Sequence, residues 1–571
     1  MGRRVVNREE VRQSGKNYRL GTKIGYVRDF LGGLTDVLIS IYMFLILVIL
    51  PLYYEDGYSY IGTNKSVFFR QCGEVMGKAT IPVLILYLLT MLVVYVLQNN
   101  MEEIKKDGWN RIKSRISVTD VFAALYGISL ALSYHQTEYR SSAWLGSTGW
   151  YMGFFPQMIL VVSYFLISKA WRRHLWLLLT VIPVSVYIFV LGVVNRFGYY
   201  PVDMKLENPE FISTIGNINW FCGYMVCIFF GVMAYYVFAD RGCGRGVVKK
   251  NGTGNNAYIW KKAACLLYLL LGFTTLIVQG SSSGILAAGV VFLTLFLLSA
   301  AEGRQLQAFG ECVLCLAGVC MLLWWILSSK RGTIVEDDGI FLLLTSGKVA
   351  GALLIAAVLF WGIIFYSNQK QKYSPKLWVT VGRMLIVGTC AVVILFIGAV
   401  IINTKTGGSL SSALGLPEEN ILTFSPYWAS KRGATWQAAA MCFSELDLWH
   451  KVVGAGPDCM EFVVKAEGNS DILTFVDTYF GKGIRLTNAH NEWFTILLNE
   501  GIFGVVSFVG MMITAIYRFL KARKDVLITG ICGVCLLAYT ANNMVSFQQS
   551  LNVSTIFIIL AVGENYLKNR K

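Results

Sequence analysis

A run of polar side chains, Asn-Ala-His-Asn-Glu-Trp at residues 488–493, stands directly before an apolar stretch long enough to cross a membrane. The chain has only four histidines, and His490 is the one that begins a predicted membrane helix among other polar groups. The positive end of a helix dipole disfavours a protonated imidazole, so we expect His490 to stay neutral and able to accept a proton. Two roles fit this position: a general base, or a polar residue that caps the helix at the membrane interface.

Three cationic residues are candidates for binding an anionic ligand. Arg432 follows Lys431 at the beginning of a stretch with helical periodicity, and Arg196 follows the fifth predicted span. An arginine presents a planar fork of N–H donors that matches phosphate oxygens. Composition alone leaves an alternative open, in which Arg432 and Lys431 are solvated surface charges and Arg196 extends to the membrane interface.

Acidic residues give no sign of a metal site. Glu461, Asp471 and Asp477 are scattered without the spacing of metal ligands, so the sequence predicts neither a metal nor a cofactor. Glu500 lies ten residues after His490, which is about 15 Å along a helix. A carboxylate at that depth is costly and is usually packed against another helix, so Glu500 is interpreted as a structural support or as a catalytic acid.

Membrane helices are the elements that must position these residues. The chain has 571 residues, of which 55% are hydrophobic and 15% charged, whereas soluble proteins carry about 25% charged residues. Apolar stretches of the roughly 17–25 residues that span a bilayer recur along the chain and predict an all-α, polytopic bundle of about 12–14 spans. In the fourteen-span version they lie near residues 33–54, 79–98, 118–133, 150–168, 175–194, 214–239, 263–278, 284–300, 308–328, 342–366, 377–402, 491–517, 526–541 and 555–567.

The net charge of +16 is distributed in a way that argues against nucleic-acid binding. Lys and Arg cluster in alternate loops, and a fourteen-span arrangement puts every cluster on one side of the membrane. This positive-inside pattern places both termini in the cytoplasm and the protein in the cytoplasmic (inner) membrane. The lipid bilayer, and not a nucleic acid, is therefore the expected partner of this charge.

The spans divide the chain into four predicted segments. Residues 1–32 form a basic cytoplasmic segment, residues 33–402 hold spans 1–11, and residues 491–571 hold the last spans and a cytoplasmic C-terminus. Between them, residues 403–490 form a large extracytoplasmic loop with short helices. A loop of that length is usually functional. No phosphate loop, dinucleotide fingerprint or H-E-x-x-H zinc helix is found in the sequence, which argues against a nucleotide-driven pump and a cytoplasmic sugar-nucleotide transferase.

Several of these motifs together resemble the O-antigen ligase/polymerase family. The C-terminal motif is Ala489-His490-Asn491-Glu492, continuing to Leu497, Leu498, Glu500-Gly501 and Gly504. Upstream motifs that also resemble the family are Arg432-Gly433 with Trp436, Gly454-Ala455-Gly456-Pro457 with Phe462, Thr214–Tyr224 with Asn217 and Asn219, and Ser281–Gly284. The sequence departs from the family where an arginine is usual, with Ser213 before the Asn217 segment and Ser282 in the serine turn.

The resemblance implies an integral-membrane glycosyltransferase of the GT-C type. Such enzymes transfer a glycan from a polyprenyl-pyrophosphate lipid to a glycan, lipid or protein acceptor. By resemblance, His490 and Arg432 are the catalytic residues, with His490 the base, and Arg432, Lys431 and Arg196 are the candidates for binding the pyrophosphate. The residues that the resemblance gives a supporting role are Asn217, Asn219, Trp436, Asn491, Glu492 and Glu500.

The chemistry of the compartment favours the same reaction independently. No nucleotide sugar is available outside the cytoplasmic membrane, so a synthesis there needs a donor that brings its own leaving group, as a lipid pyrophosphate does. Two other classes of membrane protein make different demands on the sequence. A lipid-linked oligosaccharide flippase or other transporter is expected to bury several ionisable residues in a central cavity, and a haem-handling factor needs paired histidine ligands.

Overall fold

The structure is a computed structural model that describes residues 8–98, 116–205, 208–239, 253–329, 339–417, 420–466 and 470–568. The predicted basic loops near residues 105–115 and 241–250 lie outside these residues. The described part of the chain is almost entirely helical. Its one sheet is a two-stranded antiparallel hairpin of β1 (Phe211–Ile212) and β2 (Gly216–Asn217), with Phe211 opposite Asn217.

The helices of the first two thirds of the chain follow one another with short connections. They are α1 (Arg8–Phe44), continued by a π-helical turn (Leu45–Ile49), α2 (Leu50–Leu52), α3 (Ile61–Gln98), α4 (Val118–Gln136), α5 (Arg140–Leu145), α6 (Phe154–Ala170), α7 (Leu175–Leu179), α8 (Val181–Arg196), α9 (Ile218–Phe238), α10 (Thr253–Val278), α11 (Ser282–Ser299), α12 (Gly303–Ser328), α13 (Gly339–Leu344), α14 (Gly347–Gln369) and α15 (Pro375–Lys405).

The remaining helices comprise five that follow α15 and then three apolar ones. They are α16 (Ser409–Ala413), α17 (Trp428–Glu445), α18 (Leu448–Val453), α19 (Met460–Val464), α20 (Ser470–Phe480), α21 (Glu492–Ala522), α22 (Leu527–Asn542) and α23 (Ser550–Lys568). We call residues 406–491, between α15 and α21, the interhelical segment.

Eleven helices of the described residues are long and apolar enough to cross a membrane. They are Lys23–Leu52, Ile61–Val96, Leu175–Arg196, Ile218–Phe238, Ile259–Val278, Ser282–Ser299, Gly303–Ser328, Gly347–Gln369, Pro375–Lys405, Glu492–Ala522 and Ser550–Lys568. Phe154–Ala170 and Leu527–Asn542 are shorter apolar helices, and α4 covers the third predicted span. Each of the fourteen predicted spans therefore falls on a helix, and the predicted all-α polytopic architecture is confirmed.

The helices differ in how their apolar surface is covered. α9 is buried on nearly all sides and packs against α10, α11, α22 and α23, so it forms the centre of the bundle. α15 is the opposite case, because the side chains of its most apolar stretch are all outside the protein core. An apolar helix with that exposure is stable in lipid, where its surface meets hydrocarbon.

α21 is a broken helix. Gly501 interrupts it with φ 71° and ψ −172°, a conformation that L-residues rarely adopt. The backbone of the interhelical segment enters this break: Ala455 N–H donates to Leu498 O (2.9 Å), and Gly456 N–H donates to Asn499 O (3.0 Å). The Gly-Ala-Gly-Pro turn thus satisfies carbonyls that the break leaves without helical partners.

The interhelical segment builds a small hydrophobic core of its own. Ala438 and Cys442 from α17 pack with Met460 from α19 and Val476 from α20. The helical periodicity that begins at Lys431 continues over two helices, because α17 ends at Glu445 and α18 begins at Leu448. Further along the segment, α20 covers Ser470–Phe480. A helix this short depends on tertiary packing for its stability, which a sequence pattern does not display.

Candidate functional site

His490 precedes the first residue of α21 in a strained conformation. Its φ is 47°, a value uncommon for residues other than glycine. The side chain of Asn488 holds this turn by accepting a hydrogen bond from His490 N–H (3.0 Å). Asn491 is the helix cap, since its Oδ1 accepts hydrogen bonds from Trp493 N–H and Phe494 N–H (3.0 and 3.2 Å). The alternative that His490 caps the helix is therefore wrong, and its imidazole is available for another role.

The imidazole of His490 lies in a largely apolar environment. The ring of Phe547 meets it edge to face at a centroid distance of 5.1 Å, and no described residue forms a hydrogen bond with its ring nitrogens. Burial and the positive charge of Arg432 lower the pKa of His490 to about 4. A low pKa agrees with the neutral imidazole that the sequence predicts. Its causes in the structure are desolvation and a neighbouring cation, and not the helix dipole.

Arg432 follows a left-handed turn at the beginning of α17. Ala429, Ser430 and Lys431 have φ values of 49°, 58° and 67°, and each such residue costs about 1–3 kcal/mol. The turn folds the chain back on itself, so that Ala434 N–H donates to Pro426 O (2.9 Å). Gly433 lies so close to the carbonyl of Ser425 that a Cβ atom would collide with it. This close approach explains why a glycine follows Arg432.

One hydrogen bond and one ring contact bring Arg432 and His490 together. The hydroxyl of Thr435, one turn after Arg432, donates to the carbonyl of Ala489 (2.9 Å). The ring of Trp436 contacts that of Phe494 at 5.6 Å. Because Ala489 and Phe494 flank His490 in sequence, these contacts fix the beginning of α17 against the beginning of α21.

The guanidinium of Arg432 has an unusual lack of partners. Its Nη1 donates to Ala429 O at 3.4 Å, its Nε is buried without an acceptor, and no carboxylate among the described residues pairs with it. Burial lowers the pKa of Arg432. A desolvated cation without a counter-ion is costly, and a bound anion that accepts hydrogen bonds from the guanidinium would remove that cost.

The other two predicted cations make different contacts. Lys431 Nζ donates to Tyr479 O (3.0 Å) at the end of α20 and lies 5.8 Å from the centroid of the Phe480 ring. Arg196 is buried, and its Nε and Nη1 donate to Val278 O (2.8 Å) and Pro209 O (3.2 Å). Arg196 therefore holds the chain before β1 against the end of α10, and these two contacts do not involve His490.

The Asn217 segment reaches His490 only through intermediates. Asn217 caps α9 by accepting from Asn219 N–H (2.9 Å), and Asn219 Oδ1 accepts from Ser281 Oγ (2.8 Å). A chain of ring contacts then leads from this segment towards the site: Trp220 to Trp150 (5.2 Å), Trp150 to Phe547 (5.0 Å), and Phe547 to His490 (5.1 Å). The segment around Asn217 and the segment around His490 therefore belong to one connected region. In it, the hydrogen bonds of Asn217 and Asn219 position the beginning of α9 and the turn at Ser281.

Asn491 and Glu492 attach the beginning of α21 to the end of α22. Asn491 Nδ2 donates to Met544 O (2.8 Å), and Glu492 N–H donates to Asn543 O (3.0 Å). The buried carboxylate of Glu492 accepts hydrogen bonds from Tyr539 Oη (3.0 Å) and from Asn543 Nδ2. These bonds hold the backbone on the C-terminal side of His490 rigidly in place.

Glu500 lines a small buried cavity of about 30 Å³ together with Asp458 and Glu492. One oxygen of Glu500 accepts from Gln157 Nε2 (3.1 Å), and the other has no partner. Asp458 accepts from Ser147 N–H (2.8 Å), and burial raises its pKa to about 7. A cavity of this size and polarity is large enough for ordered water.

Sequence reasoning missed Thr435, Asp458 and Phe547. Thr435 stands three residues after Arg432, and Asp458 follows the Gly-Ala-Gly-Pro turn, so their places next to recognised motifs were the available signal. Phe547 lies in the connection between α22 and α23, where nothing local distinguishes it from other aromatic residues. Only the packing of the bundle brings its ring to His490.

A cavity of about 530 Å³ lies elsewhere, between α1, α3 and α6. It is lined mainly by apolar side chains such as Ile39, Met158 and Ile167 and includes neither His490 nor Arg432. Among the described residues, no group of three His, Cys, Asp or Glu side chains could hold a metal ion.

A search of protein-family models gave no match, and a search of curated proteins gave none either.

Proposed function

We propose that this protein is a membrane glycosyltransferase of the O-antigen ligase/polymerase type, with a GT-C-like fold, at the outer face of the cytoplasmic membrane. It transfers a glycan from a polyprenyl-pyrophosphate lipid to an acceptor hydroxyl of a glycan, lipid or protein. The observation that carries the proposal is the pairing of a neutral imidazole with an arginine that has no counter-ion among the described residues. The hydrogen bond from Thr435 to Ala489 O joins the two segments that carry these side chains.

Each side chain supplies one part of the reaction. The imidazole of His490 accepts the proton of the acceptor hydroxyl, whose oxygen then forms a bond with the anomeric carbon of the donor sugar. The bond from that carbon to the pyrophosphate oxygen breaks, and its electron pair leaves with the polyprenyl pyrophosphate. Arg432 donates hydrogen bonds to the pyrophosphate, whose negative charge grows as the bond breaks.

Arg432 has no counter-ion among the described residues. In the free protein its Nε is buried without an acceptor, and its Nη1 donates only to Ala429 O among the described groups. Binding of the pyrophosphate neutralises the charge in the ground state, and the interaction strengthens in the transition state. Because Arg432 also lowers the pKa of His490, neutralising its charge makes the imidazole a stronger base when the donor is bound.

Substitution of the two residues tests the proposal in lipid nanodiscs with a purified lipid-linked glycan donor. His490→Ala is expected to lower the rate of transfer by roughly 10²–10⁴ and to leave donor binding intact. Arg432→Ala is expected to weaken both donor binding and turnover, and Arg432→Lys to restore only part of each because it lacks the planar fork. His450→Ala is the matched control, since His450 pairs with Asp447 in α18 (2.7 Å).

All variants are first compared with the wild type by size-exclusion chromatography and thermal unfolding, to exclude a folding defect. Near-normal transfer by His490→Ala would show that the imidazole is not the base. Equal losses in His450→Ala and His490→Ala would show that the effect does not belong to the site.

One observation favours the transporter alternative, a flippase for lipid-linked oligosaccharides. Asp458, Glu492 and Glu500 surround one buried cavity, and none of the three has an ion-pair partner among the described residues. Their position beside the break in α21 resembles the discontinuous helices of ion-coupled transporters. Glu500→Gln in proteoliposomes separates the two readings: a transporter loses lipid flipping, while a glycosyltransferase is expected to show no flipping in either form.

A further inference from the structure

An aromatic cluster lies directly beside Arg432 and His490. It consists of Phe424, Trp428, Trp436 and Phe494, and we call it the ring cluster. The ring centroids are separated by 5.8 Å for Phe424 and Trp428, 5.5 Å for Trp428 and Trp436, and 5.6 Å for Trp436 and Phe494. Four rings from two distant parts of the chain thus form one continuous group.

The sequence places one ring of the cluster near each catalytic candidate along the chain. Trp436 follows Arg432 by four residues on α17, so the two side chains lie on the same face of that helix. Phe494 lies in the first turn of α21, shortly after His490, and its ring contacts that of Trp436. The left-handed turn of residues 429–431 then brings Trp428, on the other side of that turn, back onto Trp436.

The rings are fixed and partly accessible. The indole N–H of Trp428 donates to Ile421 O (3.0 Å), which sets the direction of its ring. Phe494 is 39% exposed, and Phe424, Trp428 and Trp436 are only half-buried. The indole N–H of Trp436 is buried without an acceptor among the described residues, so the cluster also holds a donor that no protein group satisfies.

We propose that the ring cluster is the subsite for the donor's first sugar, on which the pyranose ring stacks; this rests on the proposed function. With the pyrophosphate at Arg432 and the attacking hydroxyl at His490, the anomeric carbon lies between them, and the sugar that carries it extends over the neighbouring rings. The C–H groups of a pyranose face carry partial positive charge and meet the negative face of an aromatic ring favourably.

Binding of two kinds of lipid to the full-length protein in nanodiscs tests this subsite. The sugar-free probe is undecaprenyl pyrophosphate, and the sugar-bearing probes are the same lipid with N-acetylglucosamine or with galactose. We expect the wild type to bind at least one sugar-bearing lipid more tightly than the sugar-free lipid. Trp428→Leu is expected to weaken binding of that lipid by about 10-fold and to leave the sugar-free lipid unchanged, while Trp428→Phe retains most of the affinity.

Trp449→Leu serves as the control, because Trp449 is an exposed tryptophan of α18 outside the cluster. Equal weakening of both kinds of lipid by Trp428→Leu would show that the rings hold the isoprenoid chain and would overturn the sugar subsite. Equal affinity of the wild type for all three lipids would overturn it as well. If the wild type binds none of the lipids, including the sugar-free one, the proposed function itself fails, which is a different result.

Discussion

The hydroxyl of Thr435 connects the segment of Arg432 to the segment of His490, so we expect its removal to separate the two residues. It is buried, and its hydrogen is shared between Ala489 O and Arg432 O, both at 2.9 Å. Thr435→Val preserves the shape of the side chain and leaves the Ala489 carbonyl without this donor. An unsatisfied buried acceptor costs about 1–3 kcal/mol, which corresponds to about a 5- to 150-fold shift away from the assembled site.

Two measurements follow from this shift. kcat/KM for glycan transfer is expected to fall by up to about 150-fold, the value reached when the loosened arrangement predominates, and the acid limb of its pH profile should move from about 4 towards 6.5. The limb moves because a loosened site exposes His490 to water and separates it from Arg432, the two causes of its low pKa. Thr529→Val is the control, since that buried hydroxyl bonds only to Val526 O, three residues earlier. If Thr435→Val had the same kcat/KM as the wild type, the role given to the hydrogen bond between Thr435 and Ala489 would be refuted.

Four further outcomes are expected. In the wild type, kcat/KM should fall only when the pH drops through about 4, because protonation of His490 removes the base. An acid limb near 6.5 would contradict a buried imidazole. Since Arg432 lowers the pKa of His490, the residual activity of Arg432→Ala should fall away at a higher pH. Gly501→Ala should lower the thermal unfolding temperature, because alanine disfavours a φ of 71° and its Cβ would meet the carbonyl of Val452; an unchanged temperature would show that the break is not required. In a cysteine-free background, Leu448→Cys should react with a membrane-impermeant thiol reagent on intact cells and Lys524→Cys should not, and the reverse pattern would invert the predicted topology.

Local patterns were sufficient for the helices and for the positions of the motifs. Long apolar stretches can satisfy their backbone in lipid only as helices, so each of the fourteen predicted spans falls on a helix. The structure joins the segments that carry Arg432 and His490 through the hydrogen bond from Thr435 to Ala489 O. The roles of Arg432 and His490 in catalysis remain predictions that the substitutions above are designed to test.

The sequence did not determine which polar residues are free to act. Arg196 and Arg432 look alike as arginines next to apolar helices, yet backbone carbonyls of other elements accept hydrogen bonds from Arg196, and Arg432 is left without such partners. The sequence allows His490 to be either a general base or the helix cap, whereas in the structure Asn491 caps α21. These outcomes depend on which donors and acceptors meet in space, and residues far apart in sequence supply them.

The sequence by itself therefore determined that the chain is a polytopic helical membrane protein and that His490 stands directly before an apolar helix, because both follow from local hydropathy and periodicity. Only the tertiary structure decided the chemistry of the site. The break at Gly501 admits the Gly-Ala-Gly-Pro turn, the left-handed turn before Arg432 brings Trp428 onto Trp436, and the Thr435 hydroxyl reaches Ala489. Each of these contacts joins segments whose separation along the chain carries no information about their distance in the fold.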